Sequence, residues 1–166
     1  MKQKQLPARG TVGRLPYGRR MTIYVVSGLC WLTGVLWVLF DYFVTTEDEF
    51  GFTGPHPLQK TWLVTHAITS FYAVWLFGVL WPNHVKKGWT QKARRPTGGT
   101  LFGLTLWLTL TGIALYYIGN DQIRSWTSIS HWAIGIGTLV VFLVHLLTRA
   151  LPFDEAARKK PVTDPS

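Results

Sequence analysis

Four of the five histidines in this chain are spaced so that they could bind a metal or a metal-bearing cofactor. His131 and His145 bracket the stretch HWAIGIGTLVVFLVH, inside an apolar run from about Trp126 to Leu151 with no charge between Arg124 and Arg149. About twenty apolar residues cross the hydrocarbon of a bilayer as a helix. Fourteen residues separate the two histidines, which is nearly four turns and a rise of about 21 Å. Both imidazoles then face nearly the same way, one toward each membrane surface. Between them the stripe Gly135, Thr138, Phe142 would accommodate a flat macrocycle. An ionisable side chain inside a membrane span is costly and marks a functional site by default.

Haem is the ligand that such imidazoles suggest, because cofactor sites in helix bundles use inward side chains from facing helices. The partners are His66 and His84 on the second apolar run, eighteen residues apart. That is five whole turns, so these two also share a face, with the small residues Ser70 and Ala73 beside His66. The second and fourth runs are parallel in a simple up-and-down topology. His66 and His131 then lie at similar depth on the outer side, and His84 and His145 on the inner side. The separations differ, about 27 Å against about 21 Å, and a tilt or a bend at Pro82 would absorb the difference. The competing reading of His84 is a solvated histidine in a basic loop. His56, flanked by prolines and about 80° around a helical wheel from His66, reads as an outer-surface residue that supports a ligand, with direct ligation the alternative. Lys60 and Arg124 outside, and Lys86, Lys87 or Arg95 inside, are the available cations for haem propionates.

Four elements must hold these residues. Residues 1–20 form a basic arm with little regular structure expected. Residues 21–151 carry four spans, at about Met21–Val44, Leu58–Trp81, Gly99–Ile118 and Trp126–Leu151, and residues 152–166 are a polar tail. Pro82 ends the second span, an acidic Gly- and Pro-punctuated loop TTEDEFGFTGPHP joins the first two, and VKKGWTQKARRPTGG connects the second to the third. The expected fold is all-α: an integral membrane four-helix up-down-up-down bundle with cofactor sites in its core. A chain that is 48% hydrophobic with nine tryptophans supports that class over a soluble core. Cys30 is alone, which excludes an internal disulfide, a CxxCH haem attachment and an iron–sulfur ligand set. About twenty mostly polar residues precede the first run, so no cleavable signal peptide is expected. No Gly-rich nucleotide motif, P-loop or Ser-His-Asp pattern is present.

The net charge of +9 is distributed one-sidedly. Six Lys or Arg precede the first span, five lie between the second and third, and four follow from Arg149, against Lys60 and Arg124 alone on the other side. By the positive-inside rule both termini are cytoplasmic, in a bacterial inner membrane. Asp41, Glu47, Asp48, Glu49 and Asp121 fall outside. This asymmetry explains the basicity without a nucleic-acid partner; anionic lipid headgroups would be attracted instead. Trp62, Trp81, Trp89 and Trp126 sit near span ends, as in an interfacial aromatic belt.

The H-x13-H of His131 and His145 on the fourth helix, with His66 on the second, resembles the four-helix di-haem cytochrome b superfamily. That group includes the cytochrome subunits of membrane formate dehydrogenases and nickel–iron hydrogenases. HVKKGWTQKARRPTGG followed by LYYIGNDQIRSWTSISHW is also similar to small bacterial membrane proteins of this cytochrome b-like type, over roughly residues 56–150. The resemblance implies noncovalent haem b, two groups or at least one, and electron transfer between a quinone and a partner redox protein. It implies a subunit of a larger complex rather than a stand-alone enzyme. One departure stands out: the formate dehydrogenase pattern draws an inner-haem ligand from the first helix, and the first helix here has no histidine. Either His84 substitutes, or the inner haem is absent. The alternatives are a haem-free structural or assembly subunit, and a small metal or haem transporter, although the broken, repeated helices of many transporters are missing.

The charge distribution makes a direct prediction. Reporter fusions in the loop at Glu47–Glu49 should report the non-cytoplasmic side, and fusions after Leu151 the cytoplasm. The reverse pattern would reject the assigned orientation.

Overall fold

The computed structural model describes residues 15–90 and 95–148. The arm at residues 1–14, the connection at 91–94 and the tail expected at 152–166 lie outside the described residues. Helix α1 runs Tyr17–Phe43; strands β1 (Thr45–Glu47) and β2 (Thr53–Pro55) follow; α2 is Pro57–Leu80. A π-helical turn at Trp81–Val85 leads without interruption into α3, Lys86–Thr90. Helices α4 (Arg95–Tyr117) and α5 (Asp121–Leu147) complete the described chain. Four continuous helices, with Pro57–Thr90 counted as one, are long and apolar enough to cross a membrane.

Three expectations need correction. The first helix begins at Tyr17, inside the segment expected to be an irregular arm. Pro16 caps it with an extended backbone, its carbonyl accepts from Arg20 N at 3.1 Å, and the Arg20 guanidinium lies over the Tyr17 ring one turn away. Nothing in Gly18-Arg19-Arg20 opposes a helix once that start is set.

The loop between the first two spans contains a small antiparallel hairpin, with Thr45 opposite Pro55 and Glu47 opposite Thr53. The fold class is all-α as expected, and these two three-residue strands are confined to the loop. Asp48 holds the turn: its carboxylate accepts from Phe50 N and Phe52 N, each at 2.9 Å. Gly51 supplies the positive φ of +80° that the turn requires.

The third correction concerns Pro82. It does not end the second span; the helix passes through it and continues to Thr90. A proline lacks the N–H that an α-helix would direct to the preceding turn. Here the turn widens instead, with Lys86 N–H reaching Trp81 O, the five-residue spacing of a π turn. His84 consequently sits on a helix and not in a solvated loop.

Helices α1 and α2 pack against each other over their length, as do α4 and α5, and α1 also meets α5. Contacts fix their directions. Thr33 faces His66 while Asp41 accepts from Gln59 Nε2, so α1 and α2 are antiparallel. Thr97 faces His145 and Thr111 faces His131, so α4 and α5 are antiparallel too. Large apolar side chains such as Leu29, Phe71, Trp75, Leu110 and Val140 cover the outside. An apolar surface of that extent suits lipid and not water.

The interior is unusual in the opposite sense. Among the described residues only Thr33, Leu76 and Thr111 are buried. Protein interiors are normally packed to crystal-like density. Instead, the two helical hairpins enclose a cavity of about 2780 Å³ lined by all four spanning helices. A pocket for one drug-sized ligand measures roughly 300–1,000 Å³. The chain walls a space larger than any one such ligand needs.

Candidate functional site

All four histidines singled out from the sequence line this cavity. The structure brings them together in the expected pairs. The rings of His66 (α2) and His131 (α5) have centroids 6.2 Å apart and planes inclined at 85°. His84 and His145 repeat this arrangement at 6.3 Å and 86°. The first pair lies at the end of the bundle bearing the β hairpin, the second at the end bearing α3.

Equal geometry in both pairs requires α2 and α5 to stay in step although eighteen residues separate the histidines on one and fourteen on the other. The π turn that contains His84 takes up part of that difference. A turn closed by i→i+5 bonds holds more residues and advances less per residue than an α turn.

Each ring leans on the helix next to its own. His66 Nδ1 is 2.9 Å from the carbonyl oxygen of Cys30 on α1, and Thr33 Oγ1 lies 3.4 Å away. A carbonyl can only accept, so Nδ1 carries the proton and Nε2 keeps its lone pair. His131 Nδ1 is 2.9 Å from Thr111 Oγ1 on α4. That hydroxyl donates to Trp107 O at 2.8 Å, so it too accepts from the ring. His145 Nδ1 is 2.9 Å from Thr97 Oγ1, also on α4.

Glycines make room for these contacts. A Cβ on Gly34 would lie 3.0 Å from His66 Cε1, and one on Gly112 would lie 3.3 Å from His131 Cε1. Gly98 stands 3.8 Å from His145 by the same measure. Two of the three buried residues, Thr33 and Thr111, stand directly before two of these glycines.

The geometry can be compared with that of shared metal ligation. An imidazole nitrogen binds a first-row metal at about 2.0–2.1 Å, and the ring centre lies about 1.2 Å behind it, so two rings on opposite sides of one ion have centroids about 6.3 Å apart. Both pairs have that separation. Metal-bound histidines characteristically give their other ring N–H to a carbonyl or another acceptor, as His66 and His131 do. Among the described residues no group of three or more His, Cys, Asp or Glu converges on one point. Two protein donors per site suit an ion whose remaining ligands come from a macrocycle.

The rest of the lining fits a ligand with an apolar body and anionic edges. Among the described residues no Asp or Glu lines the cavity, whereas Arg20, Lys86, Lys87, Arg95 and Arg124 do. Arg20 Nε and the indole nitrogens of Trp31 and Trp132 are buried without a hydrogen-bond partner, and all three residues face the cavity. Such donors carry a desolvation cost until something accepts from them. Gly135, Thr138 and Phe142, the stripe read between His131 and His145, line the cavity, as do Ser70 and Ala73.

Other expected residues fall elsewhere. His56 caps α2, its Nδ1 accepting from Leu58 N at 3.1 Å, and packs edge-on against Phe40. Lys60 is exposed and does not line the cavity. Arg20 was not among the cations anticipated, because it was assigned to the arm. The supporting threonines and glycines were also missed, although a signal exists: of four Thr-Gly dipeptides, those at 33–34, 97–98 and 111–112 stand behind three of the histidines, and the one at 53–54 lies in the hairpin.

No protein family, curated protein or solved structure matches this chain. Its function must be argued from the site itself.

The glycine contacts generate a test. If the histidine pair holds haem, Gly34→Ala should displace the His66 ring and lower the haem retained after purification. Gly28→Ala, whose added Cβ meets nothing within 4 Å, should retain the wild-type amount. Equal retention in both would show that the Gly34 contact does not govern the site.

Proposed function

We propose that this protein is a membrane-embedded b-type cytochrome that relays electrons across the bilayer. It belongs, on this reading, to the four-helix di-haem cytochrome b type and serves as one subunit of a larger electron-transfer complex. The observation that carries the proposal is the repetition of one geometry: two histidine pairs, both between α2 and α5, each with the ring separation of two imidazoles on one metal.

His66 and His131 would hold the haem iron on the outer side, and His84 and His145 that on the inner side. Haem held by two imidazoles would supply one-electron transfer rather than oxygen chemistry. The chain's own residues do the rest. Cys30 O and Thr111 orient two of the rings and fix the nitrogen that faces the iron. Arg20, Lys86, Lys87 and Arg95 at the α3 end, and Arg124 at the hairpin end, would neutralise propionates. The apolar lining excludes water and keeps the sites at low dielectric.

Along α5 the two ligand positions are fourteen residues apart, a rise of about 21 Å, which extends over most of a hydrocarbon core about 30 Å thick. Two sites so placed divide a transmembrane path into steps. Both termini would face the cytoplasm of a bacterial inner membrane, following the basic asymmetry. The joining segments, a short hairpin and residues 118–120 among them, are too small to form a catalytic domain. A quinone at one surface and a partner redox protein would therefore provide the electron donor and acceptor.

Haem stoichiometry tests this reading. The pyridine haemochrome assay should give two haems per chain in purified wild type. One should be lost in His66→Ala or His131→Ala, and the other in His84→Ala or His145→Ala. Haem-free wild type would refute the proposal, and a single haem unaffected by His84→Ala would refute the inner pair.

A further inference from the structure

We propose that Thr111 and Thr97 are positioning residues that set the basicity of His131 and His145, and through it the reduction potentials of the two haem sites. This rests on the bis-histidine reading above and adds to it what distinguishes the ligands of α5 from His66 on α2.

The placement is too regular for incidental packing. Thr97-Gly98 and Thr111-Gly112 are fourteen residues apart on α4, and His131 and His145 are fourteen apart on α5. Because the helices are antiparallel, both Thr-Gly pairs come into register with a histidine at once. In each, the threonine places an oxygen 2.9 Å from Nδ1; Gly112 also gives the His131 ring space against α4, whereas a Cβ on Gly98 would meet His145 at ordinary contact distance.

The supports are chemically unlike. His66 gives its N–H to a main-chain carbonyl, an acceptor that no side-chain substitution removes. His131 gives its N–H to the side-chain hydroxyl of Thr111, and His145 Nδ1 meets the side-chain hydroxyl of Thr97. An acceptor at Nδ1 pushes electron density toward Nε2 and strengthens the ligand. Greater ligand basicity favours the more highly charged ferric iron and lowers the potential. Removing the hydroxyl should weaken ferric binding more than ferrous binding and raise the potential of that one haem.

A merely structural role makes a different prediction. Threonines that return a hydroxyl to the carbonyl of the preceding turn are common in this chain, as at Thr127, which donates to Ile123 O at 2.8 Å and does not line the histidine cavity. Loss of that bond alone should not move a midpoint.

The test is a redox titration of intact, haem-loaded protein in detergent, comparing wild type with Thr111→Val, Thr97→Val, Thr111→Ser and Thr127→Val. Thr111→Val should raise only the midpoint of the haem that disappears in His131→Ala, and Thr97→Val only the other. Each tenfold preferential loss of ferric affinity corresponds to about 59 mV. Thr111→Ser keeps the hydroxyl and should return the wild-type midpoint. If Thr111→Val fails to retain its haem, retention in Thr111→Ser still supports the hydroxyl's role, and loss in both overturns it. Unchanged midpoints in both valine variants, or an equal shift in Thr127→Val, would also overturn it while leaving the bis-histidine reading intact. Wild type without haem would instead defeat that reading itself.

Discussion

An imidazole placed in hydrocarbon must have both of its nitrogens satisfied, and that constraint organises this molecule. One nitrogen of His66 and one of His131 are engaged by the neighbouring helix, through Cys30 O and Thr111 Oγ1. Those bonds require close approach, which is why glycine stands at 34 and 112 and why the threonines beside them are among the few buried residues. The pairings α1 with α2 and α4 with α5 can be read as two ligand-and-support units. The second nitrogen is left for the cavity between them. A chain that packed this cavity with side chains would gain ordinary core stability and lose the site.

Much of this was legible from residue types and spacing. Charged residues within the four long apolar runs are confined to positions near their ends, at Asp41, Lys60 and Arg149, and only helices satisfy their own backbone in lipid, so the spans followed directly. Histidine spacing of fourteen and eighteen gave common faces because helical periodicity is rigid over that length. Pro82 was the point at which local propensity misled. A missing N–H ends most helices, but a π turn re-routes the bonds, and tertiary placement of His84 opposite His145 goes with that turn. The β hairpin was hidden for a different reason. Its strands are three residues each, and its turn depends on two bonds to one Asp48 carboxylate, which no periodicity reveals. The Thr-Gly supports were visible as dipeptides, yet their meaning depends on the register between helices, which a single sequence does not display.

The distribution of polar groups gives the cavity a direction. Among the described residues, four cations face it at the α3 end and one at the hairpin end, with no carboxylate in the lining. Unpartnered indole N–H groups of Trp31 and Trp132 add donors to the lining. A ligand with two anionic edges would meet a more strongly positive environment at the α3 end, and a positive environment favours the reduced state of a bound redox group. The two sites should therefore differ in potential even though their histidine geometries are nearly identical.

That shared geometry is the central claim, and electron paramagnetic resonance reads it most directly. With a haem iron between them, imidazole planes inclined at 85° and 86° would leave the two iron orbitals that receive their π density nearly equal in energy. Oxidised haem-loaded protein should then show two low-spin ferric centres with the highly anisotropic signal of perpendicular axial ligands. A high-spin spectrum, or the rhombic low-spin spectrum of parallel ligand planes, would contradict it.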